Sequence, residues 1–235
     1  MEMDTKMLSH FTTFSFTGAF WEMPRDERDQ LLKEWFDKVT LSDDEGITWF
    51  YQVFPTRTEG DFLIWNTVEA ESKEALFNFN QKFAHRFNKY RFYAEPVQTL
   101  WGVTNPSMYS KRKTVSDQAM NPFAEQRKTY LIVYPFTKTA DWYLKGRETR
   151  QGMMNEHIKV GREWPEITQL LLYSFGLQDD EFTVVYETEK AGDFSDLVYD
   201  LRMTEARKYT ANDVPIITAT NQHRDDLRSV LIGAE

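Results

Sequence analysis

The chain has 235 residues, enough to bury a substantial core as one large domain or two small ones. Its 37 acidic residues outnumber 28 basic ones, and the formal charge of −9 argues against a nucleic-acid binder, which would carry a basic face. Cysteine is absent, which excludes disulfides, Cys-ligated zinc, iron–sulfur clusters and a Cys nucleophile, and fits a cytoplasmic protein.

In chain order, residues 8–103 read as a first half with the pattern strand, helix, two strands, helix, strand. Residues 104–128 are rich in Ser, Pro, Asn and basic side chains, lack periodicity, and read as a connecting loop. A second half follows over 129–221. TYLIVYP (129–135) is β-branched and aromatic, hence a strand. Residues 146–163 place Met153, Met154 and Ile158 at helical spacing. The runs 169–177 and 181–187 form a hairpin pair around Gln178-Asp179-Asp180. Residues 193–209 form one amphipathic helix with Phe194, Leu197, Val198 and Leu201 on one face. VPIITAT (214–220) closes the sheet, with Pro215 near its start where a missing N–H does least harm. The tail after Asn221 is short, charged and expected to be peripheral.

The two halves repeat one another at an offset of about 120 residues. Arg25 aligns with Arg147, Arg28 with Arg150, Leu31 and Leu32 with Met153 and Met154, and Glu34 with Glu156. Further on, Lys89-Tyr90 aligns with Lys208-Tyr209 and Pro96 with Pro215. Strand–helix–strand order in each half predicts an α+β fold. We expect two duplicated ferredoxin-like units packed as a dimeric α+β barrel-type fold.

No apolar run reaches the roughly 18 residues a membrane span needs, and the N-terminus does not read as a signal peptide. Without cysteine, any metal falls to oxygen ligands or to the four histidines His10, His85, His157 and His223. His157 lies on the apolar side of its helix, and the repeat aligns it with Trp35. The slot therefore accepts a plain aromatic, yet the second half places an imidazole there. A packed core histidine and a metal ligand are both open readings. One histidine without neighbours at ligand spacing is poor for zinc but suffices for haem, whose porphyrin supplies four nitrogens.

The run from Tyr134 to Pro165, then QLLLYSFGLQDDEF (169–182) and LVYDLRMTEARKYT (197–210), resembles the chlorite dismutase-like superfamily, most of all its coproheme decarboxylases. The resemblance is strong over about 130–220 and weaker over 8–110, where mainly GVTNPSMYS (102–110) matches. It implies a haem-dependent oxidoreductase with iron coproporphyrin III (coproheme) and hydrogen peroxide as substrates, haem b as product, and a homopentameric ring. By the same resemblance His157 is the proximal iron ligand and Glu205 the acid that accepts its other ring N–H. Tyr134 is the catalytic tyrosine, Lys138 the lysine near the haem edge, and Gln169 the residue above the iron. Leu170 competes with Gln169 for that place, because the spacing from His157 is one residue short of the pattern. Glutamine instead of arginine there points away from chlorite chemistry. Tyr109, Ser107, Arg127 and Arg207 are implied contacts to propionates, and Trp142 and Met154 to the macrocycle. The alternatives are a chlorite dismutase-like haem protein, a haem-binding peroxidase of undefined role, and a non-haem α+β barrel interaction module. No nucleic acid or membrane partner is expected.

Overall fold

Alternating apolar and β-branched residues make the strands, and stretches with 3.6-residue apolar spacing make the helices that cover them. The computed structural model describes residues 6–72, 74–105 and 118–233. The first half runs β1 (Met7–Phe16), α1 (Gly18–Glu22), α2 (Arg25–Val39), β2 (Ile47–Gln52), β3 (Phe62–Glu69), α3 (Ala75–Asn88) and β4 (Ala94–Val103). The second runs β5 (Tyr130–Lys138), α4 (Ala140–Leu144), α5 (Arg147–Gly161), β6 (Thr168–Tyr173), β7 (Phe182–Thr188) and α6 (Ala191–Arg202). A 3-10 turn (Glu205–Tyr209), β8 (Thr210–Asn212), β9 (Ile217–Asn221) and α7 (Arg224–Ile232) complete it.

The α+β class is observed, but the expected duplicated, barrel-type arrangement of two ferredoxin-like units is corrected by the strand pairing. Among the described residues all strands join one nine-stranded sheet in the order β7-β6-β4-β1-β3-β2-β9-β5-β8, with a further pairing of β7 to β5. The halves are stitched together through main-chain bonds rather than docked as two sheets. Val103 on β4 pairs with Tyr173 on β6, and Tyr51 and Gln52 on β2 pair with Asn221 and Thr220 on β9. Open strand edges seek partners, so each half's outer strands pair with the other half's. The edge strand β8 has no counterpart among the described strands of the first half. One core cluster also draws on both halves: Phe11, Tyr51, Leu63 and Trp65 from one, Leu131, Val133, Leu172 and Val185 from the other.

Two local expectations also change. The helix expected over 193–209 stops at Arg202, because Thr204 is buried and bonds its hydroxyl back to Leu201 O at 2.8 Å, ending the turn. The tail is not peripheral. Helix α7 buries Leu227, Leu231 and Ile232 in the same cluster as Trp35 and Phe36 of α2.

Candidate functional site

Strands β6, β7 and β5 lie side by side, and their alternation sorts residues onto two faces. Leu131 and Val133 of β5, Leu170 and Leu172 of β6 and Val185 of β7 enter the core shared by both halves. The opposite face carries Tyr134, Leu171 and Val184 in one row, since Tyr134 pairs with Val184 and Leu171 with Val184. Tyr173, Phe182 and Phe136 form the next row, and Gln169, Tyr186 and Ile132 the row on the other side. This strand phase separates the two competing positions: Gln169 shares the Tyr134 face, whereas Leu170 is buried on the other. Main-chain bonds fix Gln169 further, from Gln169 N–H to Gln118 O (2.8 Å) and from Met120 N–H to Gln169 O (2.9 Å).

Helix α6 covers part of this face, its Phe194 and Leu197 clustering with Ile132 and Tyr186, and α5 packs beside α6 without closing on the sheet. None of the 15 residues of α5 is buried; Met153, Met154, His157 and Ile158 are half-buried, and Leu171 on the sheet stays 42% exposed. Its packing is directed at α6 and the 3-10 turn. An apolar, aromatic sheet face with a loosely seated helix beside it leaves room for a flat ligand. A half-open pocket of about 370 Å³ exists elsewhere, lined by Thr13, Val53, Arg57, Gly60, Val97 and Ile217 among others. It holds no histidine, and its cation Arg57 is paired with Glu59 at 2.9 Å.

The electrostatics gather around His157. Burial, and then the charge of Lys138, push its imidazole down to about 4, against the opposing pull of Glu156. It is therefore neutral near pH 7, the form that can ligate a metal. Lys138 is lowered to about 8 by burial and by Arg207, with Glu181 opposing. Its Nζ donates to Ala206 O at 3.1 Å and lies 4.5 Å from the Trp142 ring centre and 4.9 Å from that of Phe136. Its main-chain N–H donates to Glu181 Oε2 at 2.8 Å, and the same oxygen accepts from the Tyr143 hydroxyl. Tyr134 stacks on Tyr186 with ring centres 6.2 Å apart, and burial, followed by Tyr186 and Asp213, raises its phenol well above the ordinary value. Arg202 and Arg207 converge on Asp213, each at 2.7 Å. Trp142 is buried and packs 5.8 Å from Tyr209.

The fold thus brings Tyr134 and Gln169 to one face of the sheet and gathers His157, Trp142 and Arg207 around Lys138, with Met154 on the helix of His157. Two candidates lie elsewhere. Arg127 is buried on the other face, beside Glu187 of β7 and the rings of Trp65 and Trp49, so it meets no ligand over the Tyr134 face. Glu205 is exposed, and its carboxylate accepts from Lys208 Nζ at 2.9 and 3.0 Å; its main-chain N–H donates to Glu156 Oε2 at 2.9 Å. Ser107 and Tyr109 lie outside the described residues. Sequence reasoning missed Tyr186, Glu181, Arg202 and Asp213. Only Tyr186 carried a signal, through its strand alternation with Val184. Among the described residues no group of three or more His, Cys, Asp or Glu side chains could hold a bare metal ion. A lone imidazole suits an iron already held by a macrocycle.

The fold is shared with known proteins. The family model for chlorite dismutase matches residues 25–222. A coproheme decarboxylase of Mycolicibacterium smegmatis is 28% identical over 193 residues, covering 82% of this chain and 78% of that protein. The chlorite dismutase of Candidatus Nitrospira defluvii in complex with imidazole superposes with a TM-score of 0.84 at 20% identity, covering 98% of this chain and 97% of that one. A mutant of that enzyme in complex with cyanide gives 0.82 at 19% identity, over 98% and 96%. The chain belongs to the chlorite dismutase family, with homology to coproheme decarboxylase.

Proposed function

We propose that this protein is a haem-binding oxidoreductase that takes coproheme between α5 and the Tyr134 face and, with hydrogen peroxide, decarboxylates two propionates to give haem b. The observation that carries the reading is a neutral, half-buried His157, close enough to Lys138 to feel its charge, on a helix none of whose residues is buried. The residues present fit such a group. His157 would ligate the iron, and Met154, Leu171 and Val184 would bury the ring. Lys138, Arg202 and Arg207 would face the carboxylates at its edge. When bound, the group supplies the oxidising chemistry with peroxide. The chain's own work is to orient the ring, exclude water from it, and hold the Tyr134 phenol, kept protonated by burial and by Tyr186, on the same strand as Lys138. A proton leaving Lys138 near pH 8 alters how strongly it holds a carboxylate. The homology to a coproheme decarboxylase supports the substrate, and the family resemblance supports a homopentameric ring. Composition supports the cytoplasm.

A second reading is a chlorite dismutase-like haem protein or haem peroxidase, favoured by the family model and by the close superposition on chlorite dismutase. Reconstitution with coproheme, followed by peroxide and mass spectrometry, separates the two. Two vinyl groups per turnover are expected from the wild type. Tyr134→Phe should lose that product while keeping coproheme affinity within about tenfold, or about 1.4 kcal/mol. Four intact propionates in the wild type would overturn the decarboxylase reading. Chlorite or peroxide turnover by the same pigmented protein would then establish the second.

A further inference from the structure

The core shared by the two halves is apolar except at one end, where a charged centre is buried. Arg127, with a side chain 1% exposed, stands 3.5 Å from Glu187, 5% exposed, through Nη1 and Oε2. That separation is an ion pair too long for a hydrogen bond. Nη2 of Arg127 is satisfied by Asn121 O at 2.5 Å and Ala124 O at 3.4 Å. Its Nε and Nη1 have no acceptor, and neither do the buried indole N–H groups of Trp49 and Trp65; the Tyr51 hydroxyl is paired with Glu187. The guanidinium lies 4.9 Å from the Trp65 ring centre and 5.4 Å from that of Trp49. Trp49 and Trp65 face each other across β2 and β3, and Tyr51 follows Trp49 on the same face. The one acceptor side chain opposite these donors is the Glu187 carboxyl, which Arg127 at 3.5 Å and Tyr51 already engage.

Buried polar groups are nearly always partnered, and a cluster of orphans marks a missing partner rather than tolerated strain. Donors outnumber acceptors here, so the missing partner is chiefly an acceptor of hydrogen bonds. We propose that this centre is a buried binding site for one small monovalent anion of halide size, held by Arg127, Trp49 and Trp65. Glu187 is the group with which that anion competes. Burial lifts Glu187 to about 7, although Arg127, Lys128 and Tyr51 favour its charged form and Glu189 opposes it. Below that pH the carboxyl is neutral and the Arg127 charge is free to hold an anion; above it the ionised carboxylate takes its place. A carboxyl raised in this way contributes stability below its unfolded value and loses it as pH climbs toward 7. The site lies on the opposite face of the sheet from His157 and does not depend on the proposed function.

Bromide is a suitable probe, because its anomalous scattering locates it in crystals and its binding raises the melting temperature in solution. Crystals of the full chain grown in bromide should show an anomalous peak among Arg127, Trp49 and Trp65. In solution, bromide should raise the melting temperature saturably relative to isethionate at equal ionic strength. Its affinity should fall about tenfold between pH 6 and pH 8, following the protonated fraction of Glu187. Glu187→Gln should bind equally at both pH values, and Arg127→Gln should not bind. Trp65→Phe, which keeps most of the packing, should weaken binding even if Arg127→Gln fails to fold. The proposal is overturned by a peak absent from this centre, by a peak without a solution effect, or by a bromide response unchanged in Trp65→Phe.

Discussion

Helices α2 and α5 occupy aligned stretches of the sequence and are equally long at 15 residues, yet they treat the sheet beneath them differently. Helix α2 buries Leu32, Trp35, Phe36 and Val39. The Trp35 ring meets Phe14, Phe62 and Tyr90 at 5.2–5.3 Å between centres, so no space remains below it. At the aligned position α5 carries His157, and the helix buries nothing completely. Two helices of equal length thus give a closed core in one half and a helix with no buried residue in the other. What differs is whether aromatic volume is supplied by the chain itself or left to a guest.

This contrast can be broken most severely from the filled side. Trp35→Ala should cost about 3–5 kcal/mol, because Phe14, Phe62 and Tyr90 would line the cavity it leaves. Urea denaturation measures it, and a loss under about 1 kcal/mol would show that α2 does not hold the first half together. Acid should expose the next largest effect. His10, buried between Phe79 and Phe83, and His157 are both held at about 4, below the unfolded value of 6.5. The unfolded chain takes up these protons first, so stability falls as pH drops from 6.5 to 4, by at most about 3 kcal/mol for each. His10→Leu should flatten part of that slope in a urea series across pH, and an unchanged slope would place His10 in a wetter setting.

The smallest effect on stability, and the most informative, belongs to α5. His157→Ala should change unfolding free energy by less than about 1 kcal/mol, because the site is not part of a closed core. The same change should remove the haem absorption band of the reconstituted protein. His157→Trp copies the first half into the second. It should leave stability equal or slightly higher while blocking pigment uptake by filling the gap. Normal pigment uptake by His157→Trp would show that the ligand seats elsewhere.

Local signals made β5, α5 and β7 legible, because a β-branched run and a 3.6-residue spacing each belong to one kind of element. The phase of β6 was legible only once β7 was paired beside it, which set Gln169 on the Tyr134 face and Leu170 in the core. Arg127 was unreadable for the opposite reason. It lies in a stretch without periodicity, and only tertiary packing decides on which face of the sheet it ends. Helix α7 was legible in part, since Leu227 and Leu231 are one helical turn apart, but the charged residues around them masked the stripe. The pairing of strands between halves follows from long-range geometry, which a repeat in sequence does not encode.

The docking of α7 also sets the order in which the chain can be completed during synthesis. Leu227, Leu231 and Ile232 belong to the cluster that seats Trp35, and Arg228 pairs with Asp29 across a separation of 199 residues. A nascent chain that has exposed only α2 and its sheet therefore carries an apolar gap that no neighbouring residue can fill. The first half cannot reach its final packing until residues 227–232 emerge from the ribosome, at roughly 5–20 residues per second. During that interval the bare side of α2 is a surface for chaperones to cover, and substitutions at Leu227 or Leu231 should lower the yield of folded protein more than its equilibrium stability suggests.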